Sequence, residues 1–155
     1  MLSLKELIAR YAQLGRLEWI GLRPARRAEM RAVSRVVVGP RGLEGDHGAS
    51  DKRAVTLIQA EHLPVIGAML GRDPVPAAAL RRNLVISGLN LAALKGRELR
   101  IGGAVLEIIG LCAPCSRMEE TLGHGGYSAV RGHGGWCARV VRGGEIACDD
   151  RVTPL

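Results

Sequence analysis

Four cysteines, Cys112, Cys115, Cys137 and Cys148, are the residues in this chain best suited to covalent or metal chemistry. Two of them stand in "GLCAPCSRMEE" (110–120), a C-x-x-C spacing. Half a zinc site, a dithiol redox pair and a single working thiol all use that spacing. A structural zinc site needs a second close pair of ligands. Cys137 and Cys148 instead fall on opposite arms of a predicted hairpin, and nothing in the spacing asks His124 or His133 to complete a site. A thioredoxin-like pair would open a helix after a parallel strand, whereas a predicted hairpin precedes this one. Two readings stay open. In one, both cysteines are ordinary small hydrophobes. In the other, Cys115 is a reactive thiol and Cys112, at the end of an apolar strand, is buried and inert. Ser116-x-x-Glu119 has the form of a capping box and predicts a helix starting at Ser116. Cys115 then lies just before a helix N-terminus, with Arg117 in the first turn, where positive potential favours thiolate.

Three stretches are more polar than turns require. "GLEGDHGASDKR" (42–53) holds Asp46, His47, Asp51 and Arg53 between two predicted strands. "LRRNLVISG" (80–88) puts Arg81, Arg82 and Asn83 at the mouth of a strand, where paired guanidiniums could fork onto an oxyanion. "GHGGYSAVRGHGGWCARV" (123–140) is glycine-rich around His133, Gly134 and Gly135, a backbone suited to cradling an anion, though no Walker-type Lys-Ser/Thr follows.

The elements that must position these residues are short. The N-terminal "MLSLKELIARYAQLG" (1–15) predicts an amphipathic lead-in helix with Leu2, Leu4, Leu7, Ile8 and Leu14 on one face. Strands are predicted at 16–24, 32–39, 53–58 and 83–88. A helix is predicted over 59–71 with Pro64 in its first turn, where a missing N–H is tolerated. Residues 97–110 predict a hairpin around Gly102-Gly103, and 136–152 a second around Gly143-Gly144. Strand–helix alternation of the Rossmann kind is missing. The expected architecture is mostly β with a few helices, a small mixed β-barrel over 16–155 behind the lead-in helix.

Bulk composition agrees. At 155 residues, with 47% hydrophobic and 24% charged, the chain suits one globular domain with a sizeable core. With no Phe, aliphatic side chains must fill it. The net charge of +7 is spread through the chain, without a Lys/Arg run or aromatic platforms for bases. A small anionic ligand is therefore expected in place of nucleic acid. The N-terminal apolar stretch is too short for a membrane helix or signal peptide, so a cytoplasmic location and reduced cysteines are expected.

The motifs "GLEGDHG…RAVTLIQAEHL", "LRRNLVISGLNLAALKGRELRIGGAVLEIIGLCAPCSRMEETLG" and "RGHGGWCARVVRGGEI", in that order, resemble the MOSC domain from about residue 16 to 153. This module is named for the C-terminal part of molybdenum-cofactor sulfurases, and the resemblance is closest to small stand-alone bacterial members. It implies a barrel like the pyruvate-kinase β-barrel domain and a family cysteine at Cys115. That cysteine would carry sulfur as a persulfide or ligate molybdenum of a bound molybdopterin cofactor in reductases of N-hydroxylated compounds. The family's basic strand-entrance motif matches Arg81, Arg82 and Asn83, and its Gly-Asp-x-His-like loop matches Asp46 and His47. A cysteine desulfurase or an electron-donor protein is the partner implied. The sulfurases' pyridoxal-phosphate domain is not expected within this chain. Cys148 stands where the family often has Gly, and Met118 where the oxidoreductase branch has a second cysteine.

Overall fold

The computed structural model describes residues 1–48, 50 and 53–155. Asp51, one of the polar loop residues named above, lies outside the described residues. Eleven strands are present among the described residues: β1 (Gly15–Leu22), β2 (Arg31–Val33), β3 (Arg35–Gly39), β4 (Gly42–Leu43), β5 (Val55–Gln59), β6 (Leu84–Ser87), β7 (Glu98–Ile101), β8 (Ala104–Leu111), β9 (Trp136–Arg142), β10 (Gly144–Ala147) and β11 (Arg151–Pro154). Helices are α1 (Leu4–Ile8), α2 (His62–Met69), α3 (Ala77–Leu80), α4 (Ser116–Leu122) and α5 (Gly126–Val130), with a 3-10 turn at Leu91–Leu94.

Seven strands close a barrel in the order β1-β6-β5-β9-β8-β7-β11, and β11 returns to β1 through Gly15↔Val152 and Arg16↔Arg151. Only β5 and β6 run parallel, so the barrel is mixed, as expected. Far from the β11 contact, β1 also pairs with β2. The strands β10, β3 and β4 form a separate antiparallel sheet whose Val38, Leu43 and Ile146 join the barrel core.

Alternation along the strands sorts side chains into two cores. Leu57, Leu84 and Ile86 point into the barrel with Leu17, Leu99 and Leu106. Ile58 and Val85 point outward, where Ile66, Leu80, Met118, Leu122 and Val130 of the helices cover them. Strands β5 and β6 are therefore buried on both faces, which is why "VTLIQ" and "LVIS" carry no charged residue.

Several expectations hold in detail. Gly102 and Gly103 form the two-residue turn between β7 and β8, with Ile101 opposite Ala104. Gly102 has φ +52°, which a side chain disfavours. Pro64 lies in the first turn of α2. The single strand predicted at 32–39, by contrast, is two strands that part at Ser34 and join different sheets.

Two further expectations are corrected. The lead-in helix is a single turn, Leu4–Ile8, closed by a Ser3–Glu6 capping box, and none of its residues is buried. Helices this short persist only with local caps or packing, and here the capping box and a hydrogen bond from the Arg97 guanidinium to the Ile8 carbonyl support it. The second correction is the hairpin at 136–152. Strand β9 pairs with β8 and β5, whereas β10 pairs with β3. The glycines at 143–144 mark a close crossing: a Cβ on Gly143 would lie 2.5 Å from the Val38 carbonyl oxygen, and one on Gly144 would run into the Gly103 carbonyl. Gly144→Ala is expected to pry β10 from the barrel and cost about 1–3 kcal/mol, the range for an overpacked buried site. A thermal melt checks this; an unchanged midpoint would mean the crossing has slack.

Candidate functional site

Where several strand ends meet, a cavity of about 310 Å³ opens between Arg23 after β1, Gly48, Ser50 and Arg53 of the β4–β5 loop, and Thr56 of β5. Arg82 before β6, Leu111 to Ala113 at the end of β8 and Cys137 of β9 complete it. Three of these residues are arginines.

Each guanidinium is held differently. Arg23 lies along Asp46: its Nη2 donates to Oδ2 at 2.8 Å, its Nε to Oδ1 at 3.1 Å, and its own backbone N–H to Oδ1 at 2.8 Å. The Gly48 N–H and the Asn83 amide also donate to Asp46. Burial works to raise the Asp46 pKa, but the Arg23 hydrogen bonds and charge, with Asn83, win and hold it below its ordinary value. Arg82 is 9% exposed, and its Nε donates to the Gly134 carbonyl at 2.6 Å. Its buried Nη2 has no hydrogen-bond partner among the described residues. An unpaired buried donor on a cation is costly, so this nitrogen calls for a ligand. Arg53 is exposed at the cavity mouth.

Cys112 and Cys137 complete the wall, their Sγ atoms 2.8 Å apart. The pairing of β8 with β9 brings them together: Gly110 opposes Cys137, Leu111 opposes Trp136, and the Cys112 N–H donates to the Gly135 carbonyl. The two cysteines are thus diagonal neighbours on one sheet face. Gly135 has φ +98°, and a Cβ there would strike the Leu57 carbonyl, so this register depends on glycine. The hydrogen bond from Cys112 lowers the Cys137 pKa to about 6, helped by Arg53, Arg82 and Arg23 against the opposing effect of burial. The same hydrogen bond, with burial, pushes Cys112 up and keeps it protonated. The pair thus favours thiolate on Cys137 beside its own proton donor, among guanidiniums.

Of the residues expected from sequence, Arg53 and Arg82 line this cavity, and Asp46, Asn83, Gly134 and Gly135 stand behind it as supports. Asn83 is fully buried: its Oδ1 accepts from the Thr56 N–H and hydroxyl, both at 3.1 Å, and its Nδ2 donates to the Gly21 carbonyl at 3.0 Å. The carbonyls of Gly134 and Gly135 are spent on Arg82 and Cys112. His47 is exposed, with Nδ1 3.0 Å from the Arg23 carbonyl. His133 stacks edge-on against His62, ring centroids 5.0 Å apart.

The expected Arg81–Arg82 fork does not form. Arg81 is left-handed at φ 55°, so consecutive side chains diverge, and its guanidinium donates to the carbonyls of Ala25 and Ala28. It shares a separate groove with Arg27 and Arg117. The capping box at Ser116 is corrected too. Helix α4 begins at Ser116, but its N-cap is Cys115, which makes no side-chain cap. Glu119 turns instead to the N–H groups of Gly125 and Tyr127 at the start of α5, at 2.9 and 3.0 Å. Cys115 itself is exposed, two residues past cavity-lining Ala113. Cys148 is half-buried, with its thiol directed at the Val33 carbonyl.

Sequence reading missed Arg23, Thr56 and the Cys112–Cys137 pair. Its one available signal was the prediction of strands ending at Gly110 and starting at Trp136, whose antiparallel pairing sets Cys112 beside Cys137. Among the described residues no three His, Cys, Asp or Glu side chains gather as a metal-binding group, and no helix is long and apolar enough to cross a membrane.

The chain is similar in fold to the crystal structure of YUAD protein from Bacillus subtilis, with a TM-score of 0.82, 16% identity, and coverage of 90% of this chain and 94% of that one. It is similar to YiiM from Geobacillus stearothermophilus (TM-score 0.74, 21% identity, 91% and 75% covered) and to YiiM from Escherichia coli (0.71, 19%, 90% and 69%). No curated protein matches the sequence. The profile of the MOSC domain matches residues 44–153, from the loop that carries Asp46 to the last barrel strand. This chain belongs to the MOSC domain family.

Proposed function

We propose that this protein is a thiol-dependent sulfur carrier whose arginine cavity binds the small anion that exchanges sulfur with it. The observation that carries the reading is the unpartnered buried Nη2 of Arg82, a residue nine-tenths buried that lines a cavity shared with two cysteines. Guanidiniums recognise oxyanions through forked, charge-assisted hydrogen bonds, and a thiolate is the form of cysteine that attacks sulfur. Cys115, exposed at the N-cap of α4, is the thiol a protein donor such as a cysteine desulfurase can reach, and it takes sulfur as a persulfide. Incubation with a desulfurase and cysteine is expected to add one sulfur atom at Cys115, seen by mass spectrometry and lost in Cys115→Ser. No adduct on the wild type, or the same adduct on the variant, would sink this role.

The cavity also fits the molybdenum cofactor with which the family is associated. The fit rests on the same unpartnered guanidinium nitrogen beside soft sulfur donors, a set that suits a phosphate-bearing, thiophilic group. Arg53 and Arg82 would hold its phosphate. When bound, the group would supply two-electron reduction of an N-hydroxylated substrate. With exposed Cys115, two residues past cavity-lining Ala113, as the ligand the resemblance implies, molybdenum in protein from a cofactor-making host that is lost in Cys115→Ser would favour this second reading over carriage alone.

A further inference from the structure

We propose that Cys137 and Cys112 form a dithiol centre that reduces the sulfane sulfur of a small anionic donor of the thiosulfate type to sulfide. This rests on the reading of the cavity as an anion site and names the substrate class it takes. The donor must combine a negative oxygen-bearing head with a transferable sulfur, because the cavity presents both recognitions at once. Arg82 offers an unpartnered buried nitrogen, and Arg23 is pinned in place by Asp46. Arg53 stands at the mouth, and the Cys137 thiol faces the same space. A volume of about 310 Å³ admits such an anion with its water.

The chemistry balances without a metal or an added oxidant. The Cys137 thiolate attacks the outer sulfur of thiosulfate; the S–S bond of the donor breaks, sulfite leaves, and Cys137 carries a persulfide anion. Cys112 then attacks. Its Sγ lies 2.8 Å from the Cys137 Sγ, less than an ångström beyond the ~2.05 Å of a disulfide bond, so it reaches the inner sulfur of the persulfide. A Cys112–Cys137 disulfide forms and the outer sulfur departs as hydrosulfide, carrying the Cys112 proton. The two cysteines lose two electrons and the sulfane sulfur gains them. A small external thiol, supplied in two equivalents, reduces the disulfide and leaves as its own disulfide. Held against Cys137 in this way, Cys112 discharges the persulfide at once, which separates this site from the storage role proposed for exposed Cys115.

The test uses the reduced full-length protein with inorganic thiosulfate, in the absence of air and reductant. Wild type is expected to release sulfite and sulfide in equal, stoichiometric amounts and to become lighter by two hydrogens, with the disulfide mapped to Cys112 and Cys137. Cys112→Ser is expected to release the sulfite but no sulfide and to become heavier by one sulfur at Cys137; that sulfite also reports a folded site. Cys137→Ser should release neither, and Cys148→Ser should behave as wild type. Sulfide from Cys112→Ser at the wild-type yield, or no sulfite from wild type, overturns the proposal. If wild type fails with thiosulfate yet still loads desulfurase sulfur on Cys115, the dithiol centre falls while the carrier reading stands. Failure of both reactions removes both.

Discussion

Asn83→Ala is expected to destabilise the protein by about 3–5 kcal/mol, the range for breaking a buried hydrogen-bond network. Asn83 has no exposed surface, and its side chain makes four hydrogen bonds: two accepted from Thr56, one donated to the Gly21 carbonyl and one to Asp46. Truncation strands the Thr56 N–H and hydroxyl and the Gly21 carbonyl together, where water does not reach, and takes from Asp46 Oδ1 one of its three donors. The loss matters for the site because each stranded group supports it. Thr56 is part of the cavity wall, and Asp46 is the clamp on Arg23. For a chain this size the melting midpoint should fall by roughly 10 °C. A fall of only a degree or two would mean the network is not the structural node its geometry implies.

The second large effect is chemical. At pH 6, Cys137, with its pKa lowered to about 6, is roughly half thiolate. An ordinary thiol is thiolate there only at the level of a few tenths of a per cent, an advantage of about 150-fold for Cys137. The lower basicity that goes with the lower pKa costs about tenfold in intrinsic nucleophilicity. Alkylation of Cys137 at pH 6 is therefore expected to outrun an ordinary thiol by about tenfold, with a rate that rises with pH and levels off above 6. Cys137→Ser should remove that fast phase entirely. Cys112→Ala should shift its midpoint upward, because the hydrogen bond from Cys112, which alanine cannot make, is the leading cause of the lowered pKa. Arg82→Gln should shift it the same way by less. A rate profile that rises only above pH 8 in wild type would contradict the thiolate assignment.

Local signals in the sequence were enough for the barrel. Alternation around Gly102-Gly103 is a short-range pattern, and the β7–β8 hairpin follows it residue for residue. The start of α4 at Ser116 was legible too. What failed was long-range. Gly143-Gly144 reads as a hairpin turn, because a glycine needed for tight chain crossing is indistinguishable in sequence from one needed for a turn. That error sent Cys137 toward Cys148, when the pairing of β9 with β8 brings it to Cys112. Arg81 and Arg82 are adjacent in sequence, and only the left-handed backbone at Arg81 parts them. Asp46 and Asn83 were legible only as members of polar stretches, one in a loop and one at a strand entrance. Their work is to hold Arg23 and Thr56, a distinction set by burial and partners that no spacing records.

The central claim is that the cavity at Arg23, Arg53 and Arg82 is an anion site. Calorimetric titration of sulfate, an unreactive tetrahedral dianion, tests it most directly, at low salt with wild type beside Arg82→Gln. Loss of one charge-assisted hydrogen-bond donor is worth roughly 1.5–3 kcal/mol, or about 10- to 150-fold in affinity. The account predicts one saturable site in wild type, weakened at least tenfold in the variant and competitive with alkylation of Cys137. Equal binding by both proteins, or none by wild type, would contradict it.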